Sequence, residues 1–191
     1  MKVLLLSGGI DSTCVAFWRR PQLCLTIDYG QASAEMEIET ASSIARRLKL
    51  KHDVIRAPVE RKFGLSDTEK VPSSKKPEFW PFRNQYIGTL AAMHLYGTKT
   101  KEIWFGSVST DRRFLDGSRT FFRRLDSLIA YQEGRMSICA PALALSTEKL
   151  VEVSKTPWSI LGATFSCHRG NVACGDCPGC EKQRSVLFSN F

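Results

Sequence analysis

The stretch at residues 7–13, Ser-Gly-Gly-Ile-Asp-Ser-Thr, carries residue types that can hold phosphate. It follows an apolar run at residues 3–6 and precedes a helical pattern that continues through Arg19. Between a strand and a helix, backbone N–H groups and the helix dipole can bind phosphate oxygens, and glycine lets the backbone approach them closely. The alternative is a glycine turn capped by Asp11 or Ser12, but the position of the stretch after the first strand favours phosphate binding.

Four of the seven cysteines lie close together near the C-terminus, at a spacing typical of metal ligands. Cys174, Cys177 and Cys180 form a C-x-x-C-x-x-C motif, and Cys167 precedes it. Four thiolates suit a tetrahedral Zn²⁺ site with no open coordination position, which would stabilise this segment and not perform hydrolysis. An iron–sulfur cluster is the alternative, because the same ligands can hold it. The neighbouring His168 is expected to be a surface or active-site residue.

The composition limits the class of protein. The chain has 191 residues, of which 43% are hydrophobic, and this suits one α/β domain over residues 1–191 with a zinc-binding segment at 166–188. The formal net charge of +8 favours polyanionic partners such as nucleotides, RNA or an acidic protein. The longest uncharged apolar stretch, residues 138–145, is far short of the roughly 20 residues that span a bilayer, and no signal-peptide pattern is visible. We therefore expect a cytoplasmic protein without membrane association, and the odd number of cysteines fits a reducing compartment.

Apolar runs and helical patterns alternate along the chain. Apolar runs predict strands at residues 3–6, 23–27, 52–55, 102–105 and 136–140. Amphipathic spacing predicts a helix after each of these runs, and Ser146 is expected to cap the last one. This order is typical of an α/β fold with a parallel sheet and helices on both faces, in which ligands bind beyond the carboxyl ends of the strands. Residues 58–81 lack periodicity and are predicted to form an irregular loop over the sheet edge, of a kind that often acts as a lid.

The glycine-rich stretch resembles the PP-loop of the ATP pyrophosphatases, whose fold is of the adenine nucleotide alpha hydrolase type. The resemblance implies that ATP is cleaved between its α and β phosphates and that Mg²⁺ neutralises charge on the phosphates. The residues implied to hold the departing pyrophosphate are Ser7, Gly8, Gly9, Asp11 and Ser12. Of these, Ser7, Asp11 and Ser12 are also implied to be catalytic. Adenine is expected near the end of the second strand, around Ile27 and Asp28.

A PP-loop at one end of the chain and a four-cysteine site at the other resemble the 7-cyano-7-deazaguanine synthase family. Further matches to the family occur in order along the chain, at Asp28-Tyr29-Gly30-Gln31 with Glu35, Pro81-Phe82-Arg83-Asn84, Gly106, Asp111, Lys149 and Ser166-Cys167. The resemblance implies an ATP-dependent carbon–nitrogen ligase that adenylates 7-carboxy-7-deazaguanine. Ammonia then displaces AMP to give an amide, and a second ATP-dependent step dehydrates the amide to the nitrile.

The resemblance also suggests roles for charged residues. Arg83 and Lys149 are candidate catalytic contacts for phosphate or acyl-phosphate groups. Asp111 and Asp116 are expected to accept hydrogen bonds from the amino group and ring N–H of the deazaguanine base, although each could equally be an aspartate that shapes its loop. Arg119, in the same region, is a third candidate for substrate binding.

The chain departs from the family pattern at several points. His168 stands where the family usually has Tyr, the loop at residues 114–119 differs, and the chain is somewhat shorter. These differences leave open a single-step ligase that joins the deazaguanine carboxylate to an amine of a partner protein. In either case we expect a homodimer.

Two other classes account for part of the pattern. A tRNA-modifying PP-loop enzyme normally needs a separate RNA-binding region or catalytic cysteines, and the remaining cysteines, Cys14, Cys24 and Cys139, are expected to be small buried residues. A non-enzymatic zinc protein that binds nucleic acid accounts for the charge and the cysteines but not for the PP-loop.

Overall fold

A computed structural model describes residues 1–57, 80–111 and 114–188. Five strands occur in this part of the chain: β1 (Lys2–Leu5), β2 (Leu23–Asp28), β3 (His52–Arg56), β4 (Glu102–Trp104) and β5 (Ser137–Cys139). They form one parallel sheet in the order β3-β2-β1-β4-β5. The predicted α/β fold with a parallel sheet is confirmed. The predicted lid loop at 58–81 lies outside the described residues, except for its last two.

Within the described ranges, seven α-helices connect or follow the strands: α1 (Ile10–Arg19), α2 (Ala34–Arg47), α3 (Arg83–Leu95), α4 (Arg119–Tyr131), α5 (Thr147–Ser154), α6 (Trp158–Leu161) and α7 (Pro178–Phe188). Ser146 caps α5 as expected, because its Oγ accepts a hydrogen bond from the Lys149 N–H at 3.2 Å. The short helix α6 and the C-terminal helix α7 were not predicted. None of the helices in the described ranges is both long and apolar enough to cross a membrane.

The sheet separates two hydrophobic cores. Val3 and Leu4 are both fully buried, yet they belong to different clusters, because successive side chains of a strand point to opposite faces of the sheet. Helices α1, α2, α5, α6 and α7 contribute to the cluster that contains Leu4, and helices α3 and α4 contribute to the one that contains Val3. Helices therefore cover both faces, and sheets of this kind bind their ligands at the carboxyl edge.

Candidate active site

A cavity of about 310 Å³ lies beyond the carboxyl ends of three neighbouring strands. The segments that follow β1, β2 and β4 all line it. The chain runs outward from β1 to β2 and β3 and then crosses back to β4 on the other side of β1, so the cavity lies where the strand order reverses. Open parallel sheets bind their ligands at such a point. Helix α3 and the segment of residues 165–182 complete the wall.

The glycine-rich stretch forms the turn between β1 and α1 on the floor of this cavity. Gly8 has a φ of +78°, and a Cβ atom at this position would lie 2.8 Å from Thr40 Cγ2. Only glycine fits this turn without strain. Ser7 and Ser12 line the cavity, and their hydroxyl oxygens are 3.1 Å apart. The turn before α1 and the first turn of that helix thus present one hydroxyl group each, together with a helix N-terminus, to any bound anion.

Asp11, in the same turn, makes an ion pair with a residue that the sequence did not reveal. Lys182 in α7 donates to Asp11 Oδ2 at 2.7 Å and to Asp111 Oδ1 at 3.0 Å. Burial raises the pKa of the Asp11 carboxyl, and the Lys182 charge opposes that rise. Burial alone would lower the pKa of Lys182, but the charges of the two aspartates outweigh it and raise that pKa. In the described part of the chain, Asp11 Oδ1 is buried without a hydrogen-bond partner.

Some of the residues that the resemblance assigned to the substrate line the cavity. Asp111, Asp116 and Arg83 do so, as does Ile27, which was expected to lie near adenine. Asp111 Oδ2 accepts a hydrogen bond from the Val108 N–H at 3.1 Å. Asp116 Oδ2 is 3.4 Å from the backbone nitrogen of Asn84, which donates to it, so both aspartates also shape their loops. Their roles toward the substrate remain predictions.

Other predicted site residues lie outside the cavity wall. The Lys149 ammonium donates to both oxygens of Glu152, at 2.8 and 2.9 Å, on the exposed side of α5. Arg119 is exposed at the start of α4. Asp28 does not line the cavity, because its Oδ1 closes the turn after β2 by accepting the Gly30 N–H at 2.9 Å. Gly8 does not line the cavity either, because it packs against Thr40 and Ala41 in α2.

Glu37 is a second cavity residue that sequence reasoning missed. Its carboxylate accepts hydrogen bonds from Ser33 Oγ at 2.7 Å and from Gln31 Nε2 at 3.0 Å. Burial raises its pKa, while these two hydrogen bonds and the charge of Arg83 oppose the rise. Glu35, which matches the family pattern, is instead exposed, and its Oε2 lies 3.6 Å from Arg56 Nη2.

The four cysteines of the C-terminal segment converge beside the cavity. The Sγ atoms of Cys167, Cys174, Cys177 and Cys180 all lie within 4.8 Å of one another. Backbone N–H groups donate to Cys167 Sγ and to Cys177 Sγ at 3.4 Å. Cys174 Sγ and Cys180 Sγ are 3.9 Å apart. Tetrahedral coordination with metal–sulfur distances of about 2.3 Å requires sulfur atoms about 3.8 Å apart, so the donor set fits a metal ion such as zinc.

The metal-binding segment packs tightly against the cavity wall. Pro178 opens α7, a position where the missing N–H of proline costs nothing. A Cβ atom on the next residue, Gly179, would lie 2.8 Å from His168 Nε2. Pro178, Gly179 and His168 all line the cavity. The cysteine cluster therefore positions part of the active-site wall.

Comparison with known proteins identifies the family. The family model described as queuosine biosynthesis protein QueC matches residues 1–190. The chain is 31% identical to 7-cyano-7-deazaguanine synthase 1 of Desulfitobacterium hafniense strain Y51, over 97% of this chain and 90% of that protein. It is 28% identical to the 7-cyano-7-deazaguanine synthase of Desulforudis audaxviator, over 94% and 93% of the two chains. With the PP-loop cavity and the four-cysteine cluster, these matches show that the chain belongs to the QueC family of queuosine biosynthesis proteins.

Proposed function

We propose that this protein is an ATP-dependent carbon–nitrogen ligase that converts 7-carboxy-7-deazaguanine into 7-cyano-7-deazaguanine. The names of its relatives support this proposal. The observation that carries it is that one cavity is lined by the glycine-rich turn and flanked by a cysteine cluster that could hold a metal ion. In the first step, a substrate carboxylate oxygen attacks the α phosphorus of ATP, and pyrophosphate leaves. Ammonia then displaces AMP to give the amide. The amide oxygen then attacks the α phosphorus of a second ATP, pyrophosphate leaves, and the amide nitrogen loses one proton. Loss of AMP and of the second N–H proton gives the nitrile.

The phosphate end of the cavity would hold the departing pyrophosphate. The Ser7 and Ser12 hydroxyls and the N–H groups at the start of α1 are the donors for its oxygens. Mg²⁺ would supply positive charge to the phosphates.

The other end of the cavity would hold the two bases. Ile27 offers an apolar contact for adenine at the end of β2. Asp116 and Asn84 lie near each other on the wall formed by the loop before α4 and by α3, and they offer acceptors and donors suited to the edge of a deazaguanine. Arg83 adds a positive charge for the substrate carboxylate. The main contribution of the protein is to bring a carboxylate, ATP and ammonia together in one water-poor site.

Zn²⁺ is the proposed occupant of the cysteine cluster, in a structural role. Four cysteine ligands complete a tetrahedral shell and leave no position for substrate. The metal would fix the segment that contributes His168, Pro178 and Lys182 to the cavity wall.

Mass spectrometry of the products tests the proposal. The purified protein is incubated with ATP, Mg²⁺, 7-carboxy-7-deazaguanine and ¹⁵N-labelled ammonia, and ATP is omitted from the control. We expect a labelled nitrile and release of AMP. A labelled amide as the end product would limit the enzyme to one adenylation. No conversion by a folded, zinc-loaded preparation would contradict the proposal. The family match lends no support to a partner protein or a tRNA as the acceptor.

A further inference from the structure

Lys182 connects the metal-binding segment to the phosphate-binding turn. It lies in the first half of α7, just after the ligand Cys180, and its ammonium reaches Asp11, 171 residues earlier in the chain. Its side chain is 26% exposed, and that of Asp11 is 14% exposed. A backbone hydrogen bond reinforces the connection, since the Phe165 N–H donates to Gly8 O at 3.0 Å. The turn between β1 and α1 is therefore held from the C-terminal segment by a charged contact and a backbone contact.

Two negatively charged side chains flank this contact, at the place where the polyphosphate of ATP is proposed to bind. Asp11 and Asp111 place two carboxylates beside the hydroxyls proposed to hold pyrophosphate. In a partly buried site, like charges a few ångströms apart repel far more strongly than they do in water. Among the described lining residues, Arg83 and Lys182 are the two that carry a lysine or arginine charge, and Lys182 is the one that contacts both aspartates.

We propose that Lys182 is a positioning residue of the ATP site, an inference that rests on the proposed function. Its ammonium holds Asp11 and Asp111 in one arrangement and compensates their charge, so that the turn can accept the phosphates of ATP. Because α7 begins within the cysteine cluster, metal binding to the cysteines sets the position of this ammonium. The metal-binding segment is in this way a part of the ATP site as well as a support for the fold.

Binding of a non-hydrolysable analogue of ATP tests the inference without relying on turnover. With α,β-methylene-ATP and Mg²⁺ in a calorimetric titration, we expect Lys182→Met to weaken binding about tenfold or more, because two carboxylates are left uncompensated. Lys182→Arg keeps the positive charge and should retain most of the wild-type affinity, although the planar guanidinium group differs in shape from the ammonium. Lys51→Ala, which removes one exposed charge beside β3, is the matched control and should bind like wild type.

A double variant separates charge compensation from a merely structural role. Asp111→Asn in the Lys182→Met background should restore analogue binding by about threefold or more, because one of the two uncompensated charges is removed. Each variant is also checked for its zinc content and its melting temperature. If Lys182→Met does not fold, Lys182→Gln is used as the uncharged variant. Its affinity for the analogue is then compared with that of Lys182→Arg.

Steady-state kinetics of the same variants give a second measurement. We expect the KM for ATP to rise in Lys182→Met while the KM for the carboxylate substrate changes less. Equal affinity of folded Lys182→Met and wild type for the analogue would overturn the inference, as would a double variant that binds no better than Lys182→Met. Either result would leave the proposed reaction intact, because that reaction is tested on the wild-type protein.

Discussion

Gly106, two residues after the end of β4, packs directly against Ser12 in the first turn of α1. A Cβ atom on residue 106 would lie 2.7 Å from Ser12 Cα and 2.8 Å from Ser12 Cβ. Real side chains do not approach a backbone this closely, so any residue larger than glycine must push the two segments apart. The end of β4 therefore fixes where the phosphate-binding turn lies.

We accordingly predict that Gly106→Ala reduces AMP release about tenfold or more and lowers the free energy of unfolding by about 1–3 kcal/mol. The control is Gly97→Ala, at a φ of +80° with nothing within 4 Å of the added atom. This change strains only the backbone, at a cost of about 1 kcal/mol, and should leave AMP release unchanged. AMP release and urea unfolding are measured for both variants. Wild-type activity in Gly106→Ala would mean that the close approach has no bearing on ATP.

Replacing Asp11 or Ser12 with alanine should abolish AMP formation while the fold stays intact. Both residues lie at the N-terminus of α1 and line the cavity. Loss of contacts that tighten in the transition state should lower turnover by about two or more orders of magnitude. Ser146→Ala is the comparison, because it removes the cap of α5 at a cost of about 1 kcal/mol without touching the cavity. Unchanged AMP release from well-folded Asp11→Ala would mean that the loop is only a turn.

Purified protein should contain about one Zn²⁺ per chain, and Cys177→Ser should lose it. Because a structural metal contributes directly to folding, we expect this variant to lose more than about 4 kcal/mol of stability or to be largely insoluble. Cys139→Ser changes a cysteine outside the cluster and should keep the metal. Elemental analysis and melting curves provide the measurements. Iron with sulfide in place of zinc would point to an iron–sulfur cluster.

Protonation of His52 should lower the free energy of unfolding in mild acid. Its Nε2 lies 2.8 Å from Thr26 Oγ1, whose own hydrogen is donated to Leu6 O. Burial lowers the pKa of His52 below its usual value of 6.5. The unfolded chain therefore binds a proton more readily, so the His52 contribution is complete above about pH 6.5 and is lost as the pH falls toward the folded pKa.

Urea unfolding of wild type and His52→Gln at about pH 7.5 and about pH 5.5 measures this effect. We expect the stability loss between the two pH values to be smaller in the variant. An equal loss in both proteins would assign the acid sensitivity to other groups.

The local features of this protein were predictable from the sequence. The alternation of apolar runs and helices predicted the parallel sheet, and contiguous residues predicted a glycine turn between the first strand and its helix. The four cysteines span only 14 positions, from Cys167 to Cys180, so their spacing already suggested one metal site. Such features depend on neighbours in the chain, and their geometry follows from strand and helix periodicity and from ligand chemistry.

The tertiary structure decided which charged side chains reach the cavity. Lys149 matched the family pattern but pairs with Glu152 on the surface, whereas Lys182 reaches Asp11 across 171 positions of sequence. Glu35 and Glu37 are two residues apart in one helix, so they face different directions, and only Glu37 lines the cavity. Sequence periodicity indicates which face of a helix is apolar, but the direction of a polar side chain depends on how the helices and loops pack at the carboxyl edge of the sheet.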